Sequence, residues 1–133
     1  MNNLMSHIRA EAERGDANAQ FNFGIFCDNG LDDNGHAVTR DRTEALKWLL
    51  KAANQGLGRA QCKLGDIYLE ELDLKLAYAW YLVATANPAG INVDRLRTIM
   101  ARIAPKLTEE EIERAGTRSR ALMAKIKISA STL

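Results

Sequence analysis

Residue types that could do chemistry are few in this chain, and they are widely spaced. His7 and His36 lie far apart in the sequence and share no metal-ligand spacing with Cys27 or Cys62. The sequence contains no nucleophile motif, no phosphate-binding loop and no pair of carboxylates in a catalytic setting. We therefore predict a protein that is not an enzyme and that has no catalytic residue, bound metal or cofactor.

A segment rich in Gly, Asn and Asp is faintly similar to a calcium-binding loop, but it fails at the decisive positions. The first ligand position holds Gly30, and the twelfth holds Asp41 in place of the usual glutamate. Asp32 and Asp33 are therefore predicted to belong to an acidic loop over residues 28–41 and not to a metal site.

Two charged clusters near the C-terminus are explained by a helix. Thr108 and Glu111 have the spacing of a capping box, so the glutamates at 109–111 indicate a helix start and not an acid–base pair. The basic residues that follow are Arg114, Arg118, Arg120, Lys125 and Lys127. No aromatic residue is interleaved with them and the net charge is only +1, so nucleic-acid binding is not expected.

Length and hydropathy place the chain among soluble single-domain proteins. With 133 residues it is long enough to bury a core without metals or disulfides. It has no apolar run of the length that a signal peptide or a membrane span requires. We expect a cytoplasmic protein that does not bind membranes.

Two blocks of residues occur twice, and they are the best indication of the architecture. GDANAQFNFG at residues 15–24 returns as GLGRAQCKLG at residues 56–65. ALKWLLKA at residues 45–52 returns as AYAWYLVA at residues 77–84. Repetition at this period is typical of stacked helical hairpins, so we predict an all-α superhelix.

Apolar residues with helical spacing predict about seven helices and no convincing strand. Gly56 and Gly58 are expected to separate the third helix from the fourth, and the fifth is expected to begin near Lys75. Pro105 is expected to end the sixth helix, and residues 129–133 are expected to fray. The predicted capping residues are Asp16, Asp41, Asn92 and Thr108.

The repeated residues have predicted packing roles. Trp48 and Trp80 occupy equivalent positions, each four residues before an alanine, and should fill the gap between neighbouring hairpins. Gly24 and Gly65 are also equivalent, and a larger side chain there should overpack a close helix contact.

The order Ala-Gln-x-x-Leu/Phe-Gly, then Ala-x-x-Trp and a closing Gly, resembles the SEL-one-like repeat (SLR) family, a relative of tetratricopeptide repeats. The resemblance implies one α-solenoid domain over residues 1–133. It begins with a half-repeat helix at 1–14, followed by repeat one at 15–55 and repeat two at 56–87. Residues 92–128 are similar to the capping helices of bacterial members.

The resemblance implies a concave face lined by the first helix of each repeat, which would form a peptide groove. Asp32 and Asp33 would lie at its rim and steer a basic partner. The alternative is ordinary helix surface, covered in part by the C-terminal helices. The implied groove positions are Asn18, Phe21, Asn22, Ile25 and Asp28 in repeat one and Arg59, Cys62, Lys63, Asp66, Leu69 and Glu70 in repeat two.

Function follows from the resemblance as an expectation. The implied protein is a non-enzymatic adaptor or scaffold that binds another protein or peptide. The first alternative is a self-associating subunit, such as a homodimer, that belongs to a larger complex. The second is a β-lactam-binding or β-lactam-hydrolysing enzyme, by analogy with cysteine-rich family members, but this chain lacks their cysteine pairs.

Both cysteines are expected to be reduced and to act as small apolar residues. Cys62 is equivalent to Phe21 and not to Cys27, so the two thiols differ by six residues in register. In parallel first helices that difference is about 9 Å along the axis. A disulfide tolerates Cα separations of up to about 7 Å.

Overall fold

The computed structural model describes residues 4–30, 36–37 and 39–131, with side chains up to residue 126. Seven α-helices follow one another in this part of the chain, and a short 3₁₀ turn precedes the last, which confirms the predicted all-α architecture. The helices are α1 Leu4–Glu13, α2 Ala17–Asn29, α3 Arg42–Asn54, α4 Gly58–Glu70, α5 Leu74–Thr85, α6 Val93–Ile103 and α7 Glu109–Ser131, and the 3₁₀ turn is Ala104–Lys106.

The predicted caps begin their helices. The side chains of Asp16, Asp41 and Asn92 each accept a hydrogen bond from the backbone amide three residues later. Thr108 and Glu111 form the reciprocal capping box, with the two hydrogen bonds at 3.0 and 2.9 Å.

Three boundaries differ from the prediction. Gly58 is the first residue of α4 and not a breaker. Its lack of a side chain has a packing reason, since an added Cβ would lie 2.2 Å from the carbonyl oxygen of Asn87. The fifth helix begins at Leu74, because Asp73 caps it. The helix α7 continues to Ser131, through residues expected to fray.

The loop after α2 begins later than predicted, because α2 is longer. The helix continues to Asn29 and ends at Gly30, which has the left-handed conformation of a C-cap with φ of 67°. Asp28 is therefore a helical residue. Asp32 and Asp33 lie outside the described residues.

Consecutive helices pack as antiparallel hairpins that stack on one another. The helix α2 pairs with α3 and α4 pairs with α5, while α1 packs on α2 in front of the first hairpin. The helix α7 packs on α5 and reaches α3, and α6 packs beside α5. The hairpin α2–α3 is repeat one, and α4–α5 is repeat two.

The repeated residues hold the positions predicted for them. Trp48 and Trp80 are buried, with 4% and 2% of their surface exposed. An added Cβ at Gly24 would lie 2.9 Å from Leu49 Cγ, and one at Gly65 would lie 2.6 Å from the ring of Tyr81. Both glycines are therefore close helix contacts, as predicted.

A buried glutamine in each repeat joins three helices, a role the sequence analysis did not assign. Gln20 donates to the carbonyl of Ala12 at 3.2 Å, and Gln61 donates to that of Ala53 at 3.1 Å. Each accepts a hydrogen bond from the end of its own repeat's second helix, Gln20 from Gln55 and Gln61 from Asn87. The glutamine of the repeated Ala-Gln pair was the available signal, because buried amides must find partners.

Candidate functional site

A shallow, open cleft of about 310 Å³ lies where α2, α4 and the start of α6 meet. We call it the α2–α4 cleft. Five of the eleven predicted groove residues line it. Its lining residues are Phe21, Arg59, Cys62, Lys63, Asp66, Gly90, Ile91 and Asn92.

Equivalent positions of the two repeats meet in this cleft. Phe21 and Cys62 are equivalent to each other, and so are Asn18 and Arg59. The Arg59 guanidinium lies 5.0 Å from the centroid of the Phe21 ring and donates a hydrogen bond to Asn18 Oδ1. The α2–α4 cleft is thus built across the boundary between the repeats.

Among the residues that the structure describes, Arg59 is the cation of this cleft that has no carboxylate partner. Lys63 pairs with Asp28 at 3.3 Å, and Arg95 pairs with Asp66 at 3.1 Å. No carboxylate of the described chain lies within ion-pair distance of Arg59, which is exposed. The Phe21 ring beneath it and its amide partner Asn18 hold the guanidinium in place without neutralising its charge.

Asp66 fixes the far wall of the cleft. It accepts a hydrogen bond of 2.6 Å from the Tyr81 hydroxyl and two from Arg95 Nη2 at 3.1 and 3.2 Å. Burial raises the pKa of Tyr81, and its hydrogen bond to Asp66 raises it further. The three side chains join α4, α5 and α6 at one point.

Cys62 is a poor candidate for a nucleophile. Burial raises the pKa of its thiol, and the charge of Asp66 adds to this, although Arg95 donates to the sulfur at 3.4 Å. Burial likewise raises the pKa of the Cys27 thiol. Both cysteines are free, as predicted, and both are protonated at neutral pH.

An ion-pair network lies beside the cleft and is centred on Asp28, whose side chain is 4% exposed. Arg42 is 2.8 Å from this carboxylate, and Arg40 and Lys63 are each 3.3 Å away. Burial opposes ionisation of Asp28, but hydrogen bonds and charges from Arg42 and Lys63 outweigh it and lower its pKa.

Arg42 extends the network to the end of α4. It lies 2.9 Å from Glu70 and 3.3 Å from Glu71. Burial opposes the charge of Arg42, and its hydrogen bonds to Glu70 and Asp28 overcome this and raise its pKa. Asp28 and Glu70, both predicted as groove residues, are thus placed in contacts between repeat one and repeat two.

The other predicted groove residues lie outside the α2–α4 cleft lining. Asn18 reaches the cleft only through Arg59, while Asn22 is exposed and Ile25 is half-buried on α2. Leu69 lines a separate gap of about 230 Å³ against α6, with Ile99 among its neighbours. The helix α6 therefore covers one end of the α4 surface.

Several residues at this site were not predicted. Gly90, Ile91 and Asn92 line the cleft, and Asn92 had been predicted only as a helix cap. Arg42 and Arg95 make the principal ion pairs, Arg42 with Asp28, 14 residues away, and with Glu70, 28 residues away, and Arg95 with Asp66, 29 residues away. The repeat pattern carries no signal for them, because neither has an equivalent with the same partner.

Two structural findings bear on other classes of function. In the described part of the chain, no three His, Cys, Asp or Glu side chains are grouped so that they could hold a metal ion. Over the same residues, no helix is both long enough and apolar enough to cross a membrane.

The fold defines an all-α repeat protein of the solenoid type, and comparison with known proteins gives its family. The sequence matches the Sel1 repeat at residues 17–57 and 58–87, which is more than half of the chain. The chain belongs to the Sel1 repeat family, as the resemblance in its sequence predicted.

A solved structure has the same fold over nearly the whole chain. It is the crystal structure of a protective antigen present in uropathogenic Escherichia coli strains, which displays an SLR fold. The TM-score is 0.77 at 31% sequence identity, over 95% of this chain and 26% of that one.

Two curated relatives match part of the chain. The ERAD-associated E3 ubiquitin-protein ligase component HRD3A of Arabidopsis thaliana is 41% identical over 61 residues, which is 46% of this chain and 8% of the relative. The chitin synthase regulator SKT5 of Saccharomyces cerevisiae is 35% identical over 66 residues, which is 47% of this chain and 10% of the relative. The chain spans a tenth or less of the length of each.

Proposed function

We propose that this protein is a non-enzymatic adaptor that binds a segment of another protein in the α2–α4 cleft. The Sel1 repeats and the SLR fold characterise a protein-interaction repeat module. The cleft adds a location, because it lies between the first helices of the two repeats. A stacked helical array presents such a surface without a need for chemistry.

The observation that carries the proposal is the charge of Arg59 above Phe21, which no carboxylate of the described residues pairs with. A guanidinium that lies over a ring keeps N–H donors available and matches a carboxylate. Phe21 and Ile91 supply apolar surface next to it. The ligand that fits is a peptide segment with an acidic residue or a terminal carboxylate beside an apolar side chain.

The relatives support the mode of action and leave the partner open. HRD3A is named as a component of a ubiquitin ligase, and SKT5 is named as a regulator of chitin synthase. Each name ties its protein to an enzyme, as a component or as a regulator. We propose the same mode for this chain, with a partner of its own.

Catalysis at this cleft is the weaker hypothesis. Cys62 is the thiol at the site, and its raised pKa keeps it protonated at neutral pH. Tyr81, which shares a core cluster with Cys62, also has a raised pKa, and its hydroxyl donates a hydrogen bond to Asp66. Neither group is poised to act as a nucleophile or a general base.

Fluorescence anisotropy with labelled peptides tests this proposal. One peptide carries glutamate beside leucine, and its matched control carries lysine in place of the glutamate. We expect the wild-type protein to bind the acidic peptide with a salt-dependent affinity, and Arg59→Glu to weaken it at least about tenfold. Arg97→Glu is the control, because Arg97 is equally an exposed arginine but lies on α6 beside Asp94.

Two results would contradict the proposal. One is equal binding of the acidic and basic peptides by the wild-type protein. The other is unchanged affinity in Arg59→Glu when circular dichroism shows that the variant is folded.

A further inference from the structure

Leu72, in the turn between α4 and α5, is unfavourable for the fold on two counts. Its side chain is 80% exposed, and its φ is +62°. Every other positive-φ position in the described chain is a glycine, namely Gly15, Gly30, Gly56 and Gly90. Glycine would remove both the exposed apolar surface and the strained backbone, so the stability of the fold does not explain a leucine here.

A larger cleft, of about 630 Å³, begins at the next residue. We call it the α5–α7 cleft, because it lies between the first turn of α5 and the N-terminal half of α7. Leu76, Ala115 and Ala121 supply its apolar lining. It shares no lining residue with the α2–α4 cleft.

The rim of the α5–α7 cleft carries both signs of charge. Asp73 lies on the α5 side, beside Leu72, and Arg118 lies on the α7 side. Lys75 and Glu111 pair across the cleft at 3.7 Å. Arg118 is exposed, and no carboxylate of the described residues pairs with it.

We infer that this surface binds a second copy of the chain, with Leu72 of each copy inserted into the α5–α7 cleft of the other. A projecting side chain and a cavity side by side are self-complementary under a two-fold rotation. The cleft is bordered by charges of both signs, Asp73 beside Leu72 and Arg118 on α7, so two copies of this surface can also be complementary in charge. A different protein would need only one of the two features, the projecting Leu72 or the α5–α7 cleft, whereas a second copy of this chain uses both.

Sedimentation equilibrium over a concentration series, with the full chain, tests the inference. We expect a dimer in the wild-type protein. Leu72→Gly should weaken it more than about a hundredfold, since each dimer loses two buried leucines. Ala121→Glu, which places a charge in the cleft, should act in the same direction, and Leu4→Asp, at an exposed leucine on α1, should leave the dimer intact.

Thermal melts of the same variants exclude loss of fold as the cause. Because glycine accepts positive φ, Leu72→Gly should unfold at a temperature at least as high as the wild-type monomer. A wild-type chain that stays monomeric up to about millimolar concentration would overturn the inference. So would a dimer that persists in both Leu72→Gly and Ala121→Glu.

Cross-linking locates the contact. A Leu72→Cys chain mixed with an Ala121→Cys chain should give a heterodimeric disulfide under mild oxidation, because the inferred dimer brings these positions together. Wild-type protein is the control for Cys62, which is half-buried. Equal yields from the wild-type protein and from the mixture would contradict the two-fold arrangement.

Discussion

Repeat one and repeat two pack through equivalent positions, but the side chains at and beside these positions make different contacts. In repeat one, Gly24 faces Leu49, and the position after the glycine is Ile25. In repeat two, Gly65 faces Tyr81, whose hydroxyl donates to Asp66, the residue after the glycine. At equivalent positions, repeat one has the apolar side chains of Leu49 and Ile25, and repeat two has the hydrogen bond between Tyr81 and Asp66.

The difference shows where a repeat protein departs from its pattern. Asp66 also binds Arg95 of α6, so the polar version of the contact joins the repeats to the C-terminal helices. In repeat one the departure is Asp28, which corresponds to Leu69 and is the centre of an ion-pair network with Arg42. Shared positions build the hairpins and, through Gln20 and Gln61, also tie each to the helix before it. Unshared positions add the contacts that occur only once.

The shared tryptophans should give the largest effect on stability. Trp48→Ala and Trp80→Ala each remove a buried ring and leave a cavity, so each should cost about 3–5 kcal/mol. This is a large part of a typical stability of about 5–15 kcal/mol. Denaturant melts measure the loss. Near wild-type midpoints in either variant would show that the ring is not part of the core.

Alanine substitutions at the two equivalent contact glycines should differ in their effect on stability. Gly65→Ala places a methyl group 2.6 Å from the Tyr81 ring, and Gly24→Ala places one 2.9 Å from Leu49. The Tyr81 ring is rigid and is held by its hydrogen bond to Asp66, whereas Leu49, although buried, is an aliphatic side chain without such a bond. We expect a cost of about 1–3 kcal/mol for Gly65→Ala and a smaller one for Gly24→Ala. Equal midpoints would contradict this account.

The ion-pair network centred on Asp28 should make the stability of the protein depend on pH in the acid range. Folding lowers the pKa of Asp28 below its unfolded value of about 3.9. Its stabilisation is therefore fully present above that pH and is lost as the pH falls through the folded pKa. Asp28→Asn should cost roughly 1 kcal/mol at neutral pH and should flatten the loss of stability in acid. Urea melts from about pH 2 to about pH 7, on both sides of the unfolded pKa, measure how much free energy of unfolding is lost in acid. Asp94→Asn, at an exposed aspartate, is the control. A parallel acid profile in Asp28→Asn would count against the network.

The sequence predicted the positions that repetition determines and missed those that depend on unique contacts. Trp48, Trp80 and the two glycines were predicted because each occurs twice in the same context. Arg95 and Ile91 were missed, because they follow the last repeat and have no equivalent. No periodicity reports which α4 residue such a side chain will contact.

Shortening the loop of repeat one should have the smallest effect on stability. Removal of residues 31–38 leaves in the chain the residues of two contacts that close the loop. Arg40 donates to the Asp28 carboxylate at 3.3 Å, and the Asp41 amide donates to the Cys27 carbonyl at 2.9 Å. The free energy of unfolding should change by no more than about 0.6 kcal/mol, because closure entropy varies slowly with length. Thermal melts measure this, and a large loss would mean that the loop packs on the fold.

The same variant tests the sequence hypothesis that Asp32 and Asp33 steer a basic partner. If the α2–α4 cleft takes an acidic segment, loss of the two aspartates should leave its affinity unchanged or raise it at low salt. A loss of affinity for a basic peptide alone would favour the original hypothesis.

The most direct test of the central claim is to map the binding site by NMR. Amide spectra of the labelled chain, titrated with the glutamate–leucine peptide, should shift for the residues that line the α2–α4 cleft, above all Phe21, Arg59 and Ile91. Residues of the α5–α7 cleft, such as Ala121, should not shift, and Arg59→Glu should abolish the response. Shifts confined to other surfaces, or the same shifts with the lysine peptide, would contradict the proposal that this cleft binds an acidic segment of a partner protein.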